Sequence, residues 1–323
     1  MRKIDFSLII PVYRNELNIP ELLKIVKIIS GKLQDSIEVL FIVDGSPDKS
    51  HEILSNALKT AKIYSKLVLL SRNFGSFSAI RAGLNLANGK YFAVMAADQQ
   101  EPPELIVQFF TALKKNEADV IIGKRKSRSD PFFAKLSAKC FWYLYRKFIF
   151  SEMPSGGIDV FGCNKIFRDT LLTLRESHSS LIAQIFWLGF RRKTAEYERA
   201  ERKTGVSGWT LKKKIDYMMD SIFAFTSLPV KLLTAAGAAG IILFGGLGLS
   251  TFISRLLGII TVPGYTALFL AIGFFGALNV FGIGIIGSYA WRTYENTKNR
   301  PESAVLSVKC FNTDKWTVKS GRK

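Results

Sequence analysis

The sequence is poor in acid, in cysteine and in histidine. Among 323 residues, 26 Asp and Glu stand against 45 Lys and Arg, a formal net charge of +19. That deficit of acid suits an anionic partner, whether nucleic acid, anionic lipid or a phosphorylated substrate. The three cysteines, Cys140, Cys163 and Cys310, are scattered without metal-ligand spacing, which argues against disulfides and fits a reducing compartment. Of the two histidines, His51 reads as a surface helix residue and His178 as a loop or helix-start residue, so neither is expected to be catalytic. Residues 1–5 are polar and lead into a short strand-like run, so no signal peptide is expected. Long apolar runs are missing from the first 225 or so residues and arrive only afterwards, over 232–254 and 265–290, without a charge in either.

Each of those runs exceeds the roughly 20 residues needed to cross a hydrocarbon core of about 30 Å. The short connection between them predicts a helical hairpin. Arg255 is the one charge in that connection, whereas Lys231, Arg292, Lys298 and Arg300 flank the other ends. The positive-inside rule then predicts both termini and the large domain in the cytoplasm. Membrane spans shift the expected partner toward lipid and phosphate and away from nucleic acid. Small residues at four-residue spacing (Ala236 with Gly240, Gly273 with Ala277, Gly284 with Ser288) would suit packing within the hairpin or between protomers of a homo-oligomer. Asn279 is expected to hydrogen-bond to a neighbouring helix.

Ahead of the hairpin, strand-length apolar runs alternate with helical periodicity. Strands are predicted over 6–12, 37–43, 67–70, 91–95 and 120–122, and helices over 19–29, 49–62, 77–87 and 103–115. The alternation predicts an α/β, mostly parallel, doubly wound sheet. The expected organisation is a catalytic domain over 1–209, a juxtamembrane amphipathic helix over 210–229, two transmembrane helices over 230–291 and a cytoplasmic basic tail over 292–323. Residues 131–150 mix Phe132, Phe133, Trp142 and Tyr143 with Lys135, Lys139, Arg146 and Lys147, as an in-plane helix on an anionic bilayer would.

Ligands of such sheets bind at the carboxyl ends of the strands. The polar clusters 13–16, 44–46, 72–75 and 98–101 all fall there. Glu16 and Asp44 are acceptors for ribose hydroxyls or a base edge. Asp98 and Gln100 offer hard oxygens to Mg²⁺ or Mn²⁺. Arg72 and Arg125 add positive charge suited to a diphosphate.

The segments Ile10-Pro11-Val12-Tyr13-Arg14-Asn15-Glu16, Val43-Asp44-Gly45-Ser46-Pro47-Asp48, Arg72-Asn73-Phe74-Gly75 and Ala96-Ala97-Asp98-Gln99-Gln100-Glu101-Pro102-Pro103-Glu104 resemble motifs of the family 2 glycosyltransferases with the GT-A fold. Arg199-Ala200-Glu201-Arg202-Lys203-Thr204-Gly205-Val206-Ser207 resembles the motif that precedes the membrane segment in their polyprenyl-phosphate branch. The resemblance extends from about residue 6 to residue 300 and implies a GT-A catalytic domain with Rossmann-like sheet. It also implies a nucleotide-sugar donor (a UDP-sugar), a divalent metal, a polyprenyl (undecaprenyl) phosphate acceptor and inversion at the anomeric carbon. By that resemblance Pro11, Tyr13, Glu16, Asp44, Arg72, Ala97, Arg125 and Arg202 hold the nucleotide sugar. Asp98 and Gln100 bind metal, and Arg199 and Ser207 meet the acceptor phosphate. Asp159 aligns with the family's acidic residue that is often assigned as catalytic base. A phosphate monoester with a second pKa near about 6 is already anionic at neutral pH, so Asp159 is expected to orient the acceptor more than to remove a proton.

Ala96, Phe161 and Gly208 depart from the family's pattern, where charged residues are usual. The missing acid at Ala96 predicts a weak metal site. Two other readings share the same pattern: a catalytically weakened homologue acting as a binding or scaffold subunit, and a processive polysaccharide synthase.

Overall fold

The structure, a computed structural model, describes residues 4–34, 36–126, 142–143, 145–154, 158, 160–176, 179–200, 211–257 and 264–312. Asp159, Arg202, Ser207, Gly208 and His178 fall outside these residues, as does most of the 131–150 segment read as an interfacial helix.

The first unit covers Met1–Glu176, Ser180–Lys213 and Arg300–Lys323. Its strands are β1 (Phe6–Val12), β2 (Ile37–Val43), β3 (Ser65–Leu70), β4 (Tyr91–Val94), β5 (Val120–Arg125), β6 (Phe161–Asn164), β7 (Arg192–Tyr197) and β8 (Val305–Phe311). They form one sheet in the order β7-β5-β6-β4-β1-β2-β3-β8. The pairs β1–β2, β1–β4, β2–β3 and β5–β7 are parallel, while β6 and β8 run antiparallel to their neighbours. Helices α1 (Ile19–Lys32), α2 (Ser50–Thr60), α3 (Ser76–Leu86) and α4 (Pro103–Lys114) supply the crossovers. After β3 the chain returns past β1, so the strand order reverses between β1 and β4, and a ligand crevice is expected at that point.

The core follows from the sequence pattern. Ile19, Leu22, Val26 and Ile29 lie on one face of α1 and are buried, and they join Leu8, Ile10 and Val12 of β1 and Phe109 and Phe110 of α4 in one cluster. On the opposite face α3 approaches closely at Gly83, where a Cβ would meet Ile9 Cγ2 at 2.5 Å. Glu38, fully buried in β2, accepts from Ser7 Oγ (2.7 Å) and pairs with Lys66 Nζ (3.2 Å), so its charge is compensated inside the sheet.

Sequence periodicity did not reveal β6, β7 or β8. The segment Val305–Phe311, within the stretch read as a tail, adds an edge strand to β3. Ahead of it, Glu302 pairs with the buried guanidinium of Arg81, which also donates to Gln184 Oε1 (3.0 Å). Removing residues 301–323 is expected to expose the β3 edge and leave Arg81 short of an acceptor. Hydrogen exchange should show β3 amides losing protection while β1 amides keep theirs; unchanged β3 protection would contradict this role for the strand.

The second unit is Ser177–Ser179 with Lys214–Asn299. It contains the long helices Leu228–Leu256 and Tyr265–Thr297. Among the described residues one helix, Phe274–Thr297, is long and apolar enough to cross a membrane, with a mean hydropathy of 1.4. Ile215–Phe225 and Leu228–Gly240 pass the same criteria only together, and they are bent by 77° at their junction. Inside this unit, ideal Cβ atoms at Gly240 and Gly282 would lie 3.6 Å from Phe275 and 3.4 Å from Leu233, ordinary van der Waals contact, so alanine would fit at either position. Arg292 pairs with Asp220 at 2.8 Å and stacks over Phe223.

Candidate active site

Three turns at the carboxyl ends of β1, β2 and β3 are joined by side-chain to backbone bonds. After β1 the chain turns through Arg14, whose φ of 53° is left-handed. Arg14 N donates to Ser46 Oγ (2.7 Å) and Asn15 N to Ser50 Oγ (3.2 Å). Asp48 is the hub: it accepts from Glu16 N (3.1 Å), from the Ser46 hydroxyl (2.6 Å) and from the Ser50 hydroxyl (2.9 Å). Burial alone would raise its pKa, but the hydroxyls of Ser46 and Ser50 and the N–H groups of Glu16 and Ser50 together lower it. Glu16 completes the tie by accepting from Lys49 N at 2.9 Å. Pro11 lies in β1 opposite Ile42, and Tyr13 projects outward, 38% exposed.

Asp44 is buried at the end of β2 and accepts from Phe74 N (2.7 Å) and Gly75 N (2.9 Å). It therefore holds the loop that starts α3, whatever else its remaining lone pairs bind. Burial pushes its pKa up, against the pull of those two N–H groups and of Arg72. Arg72 lies over the Phe74 ring at 4.1 Å, which aligns its guanidinium at the rim. Replacing Asp44 with Ala is expected to cost about 1–3 kcal/mol through the N–H groups left unsatisfied. Asn should retain part of this, and thermal melts of the two variants compare them directly.

The turn after β4 carries the remaining chemistry. Gln99, with a φ of 61°, donates through Nε2 to Asn18 O (2.7 Å), tying this turn to the one after β1. Gln100 is bound to the segment after β7: its carbonyl accepts from Ala200 N (3.0 Å), and its Nε2 donates to Ala200 O (3.1 Å). Its Oε1 accepts from Arg199 Nη2. The two residues assigned by sequence to metal and to acceptor phosphate thus bond to each other. Ala97 is buried at 4% exposure, and Phe161 is packed within the sheet.

Arg125 ends β5 directly opposite Tyr197 of β7 and bonds to its hydroxyl. Glu101, absent from the sequence-derived site list, is 2% exposed beside this group. Burial and then the charge of Asp98 push its pKa up to about 7, against Arg199 and Arg125. Burial and then Glu101 push the Tyr197 phenol up as well. Asp98, Gln100, Glu101, Arg125, Tyr197 and Arg199 form one electrostatic cluster at the carboxyl ends of β4, β5 and β7. Glu101 was missed because position in a motif says nothing of side-chain direction. Its place directly after Gln100 at a strand end was the available signal.

Acid, amide and guanidinium groups at the ends of a mostly parallel sheet suit a phosphorylated, activated substrate. Comparison with known sequences agrees: residues 7–174 match the family described as "Glycosyl transferase family 2". The chain belongs to that family and is a glycosyltransferase. It is 33% identical over 304 residues, covering 93% of each chain, to "Uncharacterized glycosyltransferase YkcC" of Bacillus subtilis (strain 168). It is 29% identical over 306 residues to "Undecaprenyl-phosphate 4-deoxy-4-formamido-L-arabinose transferase" of Photorhabdus laumondii, covering 94% of this chain and 93% of that one. Among solved structures, it is similar to the mannosyltransferase PcManGT from Pyrobaculum calidifontis, in complex with GDP-Man and Mn²⁺. That match has a TM-score of 0.47 and 16% identity, covering 90% of this chain and 88% of the other.

Proposed function

We propose that this glycosyltransferase moves a sugar from a nucleotide sugar, a UDP-sugar first, to polyprenyl phosphate at the cytoplasmic leaflet of the bacterial plasma membrane. The product would serve surface polysaccharide or lipid glycosylation. The observation that carries the reading is the cluster of Asp98, Glu101, Arg125 and Arg199 at the strand ends. Support for the acceptor comes from relatives whose printed names include undecaprenyl phosphate and whose similarity spans nearly the whole chain, apolar region included.

In the proposed reaction an anionic oxygen of the acceptor phosphate attacks the anomeric carbon. The bond from that carbon to the donor diphosphate breaks, its electron pair leaves with the nucleoside diphosphate, and the configuration inverts. The acceptor brings no proton that must be removed at neutral pH. The charge that accumulates on the leaving diphosphate is therefore the main demand on the protein. Arg125 and Arg199, fixed by Tyr197 and Gln100, are in place to bind that diphosphate, with Arg72 at the rim. Asp44 keeps the Arg72–Gly75 loop in position, and Tyr13 and Glu16 border the donor site. Arg202 is assigned to the donor side with them, and Asp159 and Ser207 to the acceptor side.

A divalent cation fits the donor set in a limited way. Asp98 offers a hard carboxylate, whereas the Gln100 amide oxygen already accepts from Arg199. Among the described residues there is no group of three His, Cys, Asp or Glu suited to a metal ion. Mg²⁺ and Mn²⁺ accept one or two carboxylates completed by substrate phosphates, so Asp98 would hold such an ion only with the donor present. When bound, the ion would neutralise charge on the leaving diphosphate.

We place both long C-terminal helices across the bilayer, with the catalytic unit and both termini on the cytoplasmic side. The tested outcome is release of nucleoside diphosphate by the purified full chain. It should require both a nucleotide sugar and undecaprenyl phosphate, with the glycosylated lipid found by mass spectrometry. Nucleotide release without lipid phosphate, or none with any donor of a broad panel, would contradict the proposal.

A further inference from the structure

Asp44 pins the Arg72–Gly75 loop near its end, and both flanks of that loop lead to one short stretch of chain, residues 302–304. Before the loop, Ser71 N donates to Ala304 O at 2.9 Å. Beyond it, α3 carries Arg81, whose guanidinium pairs with the Glu302 carboxylate. Arg81 is buried and also donates to two neutral acceptors, Gln184 Oε1 at 3.0 Å and the Leu174 carbonyl. A buried guanidinium is held firmly where a carboxylate offsets its charge and hydrogen bonds satisfy its other donors. Glu302 supplies that carboxylate, so the seat of α3, and of Gly75 at its start, depends on residue 302. Residues 298–301 alone separate Glu302 from Thr297, where the Tyr265–Thr297 helix ends. The far end of β8 is fastened separately: Asn312 Nδ2 donates to Ile63 O at 3.0 Å, just past α2.

We propose that Glu302 is a positioning residue for the donor site. Through Arg81, and with the neighbouring Ala304 carbonyl on Ser71, it braces both flanks of the loop that carries Arg72. The inference rests on the transfer reading for its purpose, because that reading sets Arg72 at the rim to meet the donor diphosphate. Glu302 acts through Arg81 and not on the substrate. A loop held by Asp44 alone could swing about that point, whereas fixed flanks keep the guanidinium where the diphosphate lies. A shift of about 1 Å in such a group can cost about 100-fold in rate. The brace is also the direct continuation of the second long helix, so only a few residues of backbone join that helix to the donor loop.

The test is hydrogen exchange at the Phe74 and Gly75 amides, which donate to Asp44, in the full chain in detergent. UDP affinity is then measured on the same preparations. Glu302→Ala is expected to speed exchange at both amides about tenfold and to weaken UDP binding about fivefold. Glu302→Gln, which can still accept from Arg81, should fall between that variant and the unaltered protein. Asn312→Ala is the control: it should lower the melting temperature and leave both amides and UDP affinity unchanged. Unchanged exchange in Glu302→Ala would overturn the inference. Equal loosening by Asn312→Ala would do the same, because general undocking of β8 gives that result. So would a loosened loop that binds UDP as tightly as before. The exchange measurement needs no donor and no lipid. Absence of UDP binding by the unaltered protein would therefore sink the functional proposal alone, with exchange still deciding whether Glu302 braces the loop.

Discussion

Glu101→Gln is expected to make the protein more stable above neutral pH while damaging its function. The Glu101 pKa is raised from 4.5 to about 7 in the folded chain, first by burial and then by Asp98. An acid whose folded pKa is raised binds more protons folded than unfolded between those values. Stability must therefore fall as pH climbs from about 4.5 to about 7, and the deficit is complete above that. The shift corresponds to about 3 kcal/mol. The charged groups that face Glu101 are Asp98, Arg199 and Arg125, and Tyr197 lies in the same cluster. Gln, which carries no charge, should recover most of that deficit at pH 8 and change little near pH 4. Thermal melts of both proteins across this range measure it. Equal pH profiles would show that the carboxylate is not held at strain.

Gly45→Ala should be still more damaging, and for a steric reason. Gly45 has a φ of +54°, and a Cβ there would stand 2.2 Å from the Arg72 carbonyl carbon and 2.4 Å from Asn73 N. Those atoms are backbone, so no side-chain rotation relieves the overlap. The turns after β2 and β3 would have to separate, breaking the bonds from Phe74 N and Gly75 N to Asp44. Left-handed backbone costs alanine about 1–2 kcal/mol, and overpacking of a tight site adds about 1–3 kcal/mol. A loss of about 3 kcal/mol or more is expected, together with at least tenfold weaker UDP binding. Gly75→Ala is the control: its φ is +94°, yet no atom lies within 4 Å of the added Cβ. It should cost backbone strain alone, about 1–3 kcal/mol. Equal behaviour of the two variants would remove the close approach of Gly45 to Arg72 as the explanation.

The sequence disclosed the parts of the fold that announce themselves by burial. Residues 6–12 and 37–43 are apolar runs broken only by Ser7 and Glu38, and their strands occupy those same residues, almost wholly buried at the sheet centre. Strands with other surroundings carried no such signal. Phe161–Asn164 is four residues long, and Arg192–Tyr197 leaves Lys193, Thr194 and Glu196 exposed. Val305–Phe311 is largely exposed at the sheet edge, where pairing with β3 rather than apolar content makes the strand. The candidate site divides in the same way. Strand-end position sufficed to gather Asp44, Arg72, Asp98, Gln100 and Arg125 at one edge. Partner choice did not follow from position: Asp44 holds the Phe74–Gly75 backbone, Gln100 accepts from Arg199, and Glu101 turns inward toward Asp98.

The central claim is that the Asp98–Glu101–Arg125–Arg199 cluster receives the donor diphosphate together with a divalent cation. A structure of the full chain with Mn²⁺ and UDP, recorded with anomalous scattering at the manganese edge, tests it most directly. The account predicts a manganese peak bonded to Asp98 and to the donor, with the diphosphate reaching Arg125 and Arg199. Manganese elsewhere, or a diphosphate bound away from the carboxyl ends of β4 and β5, would contradict it.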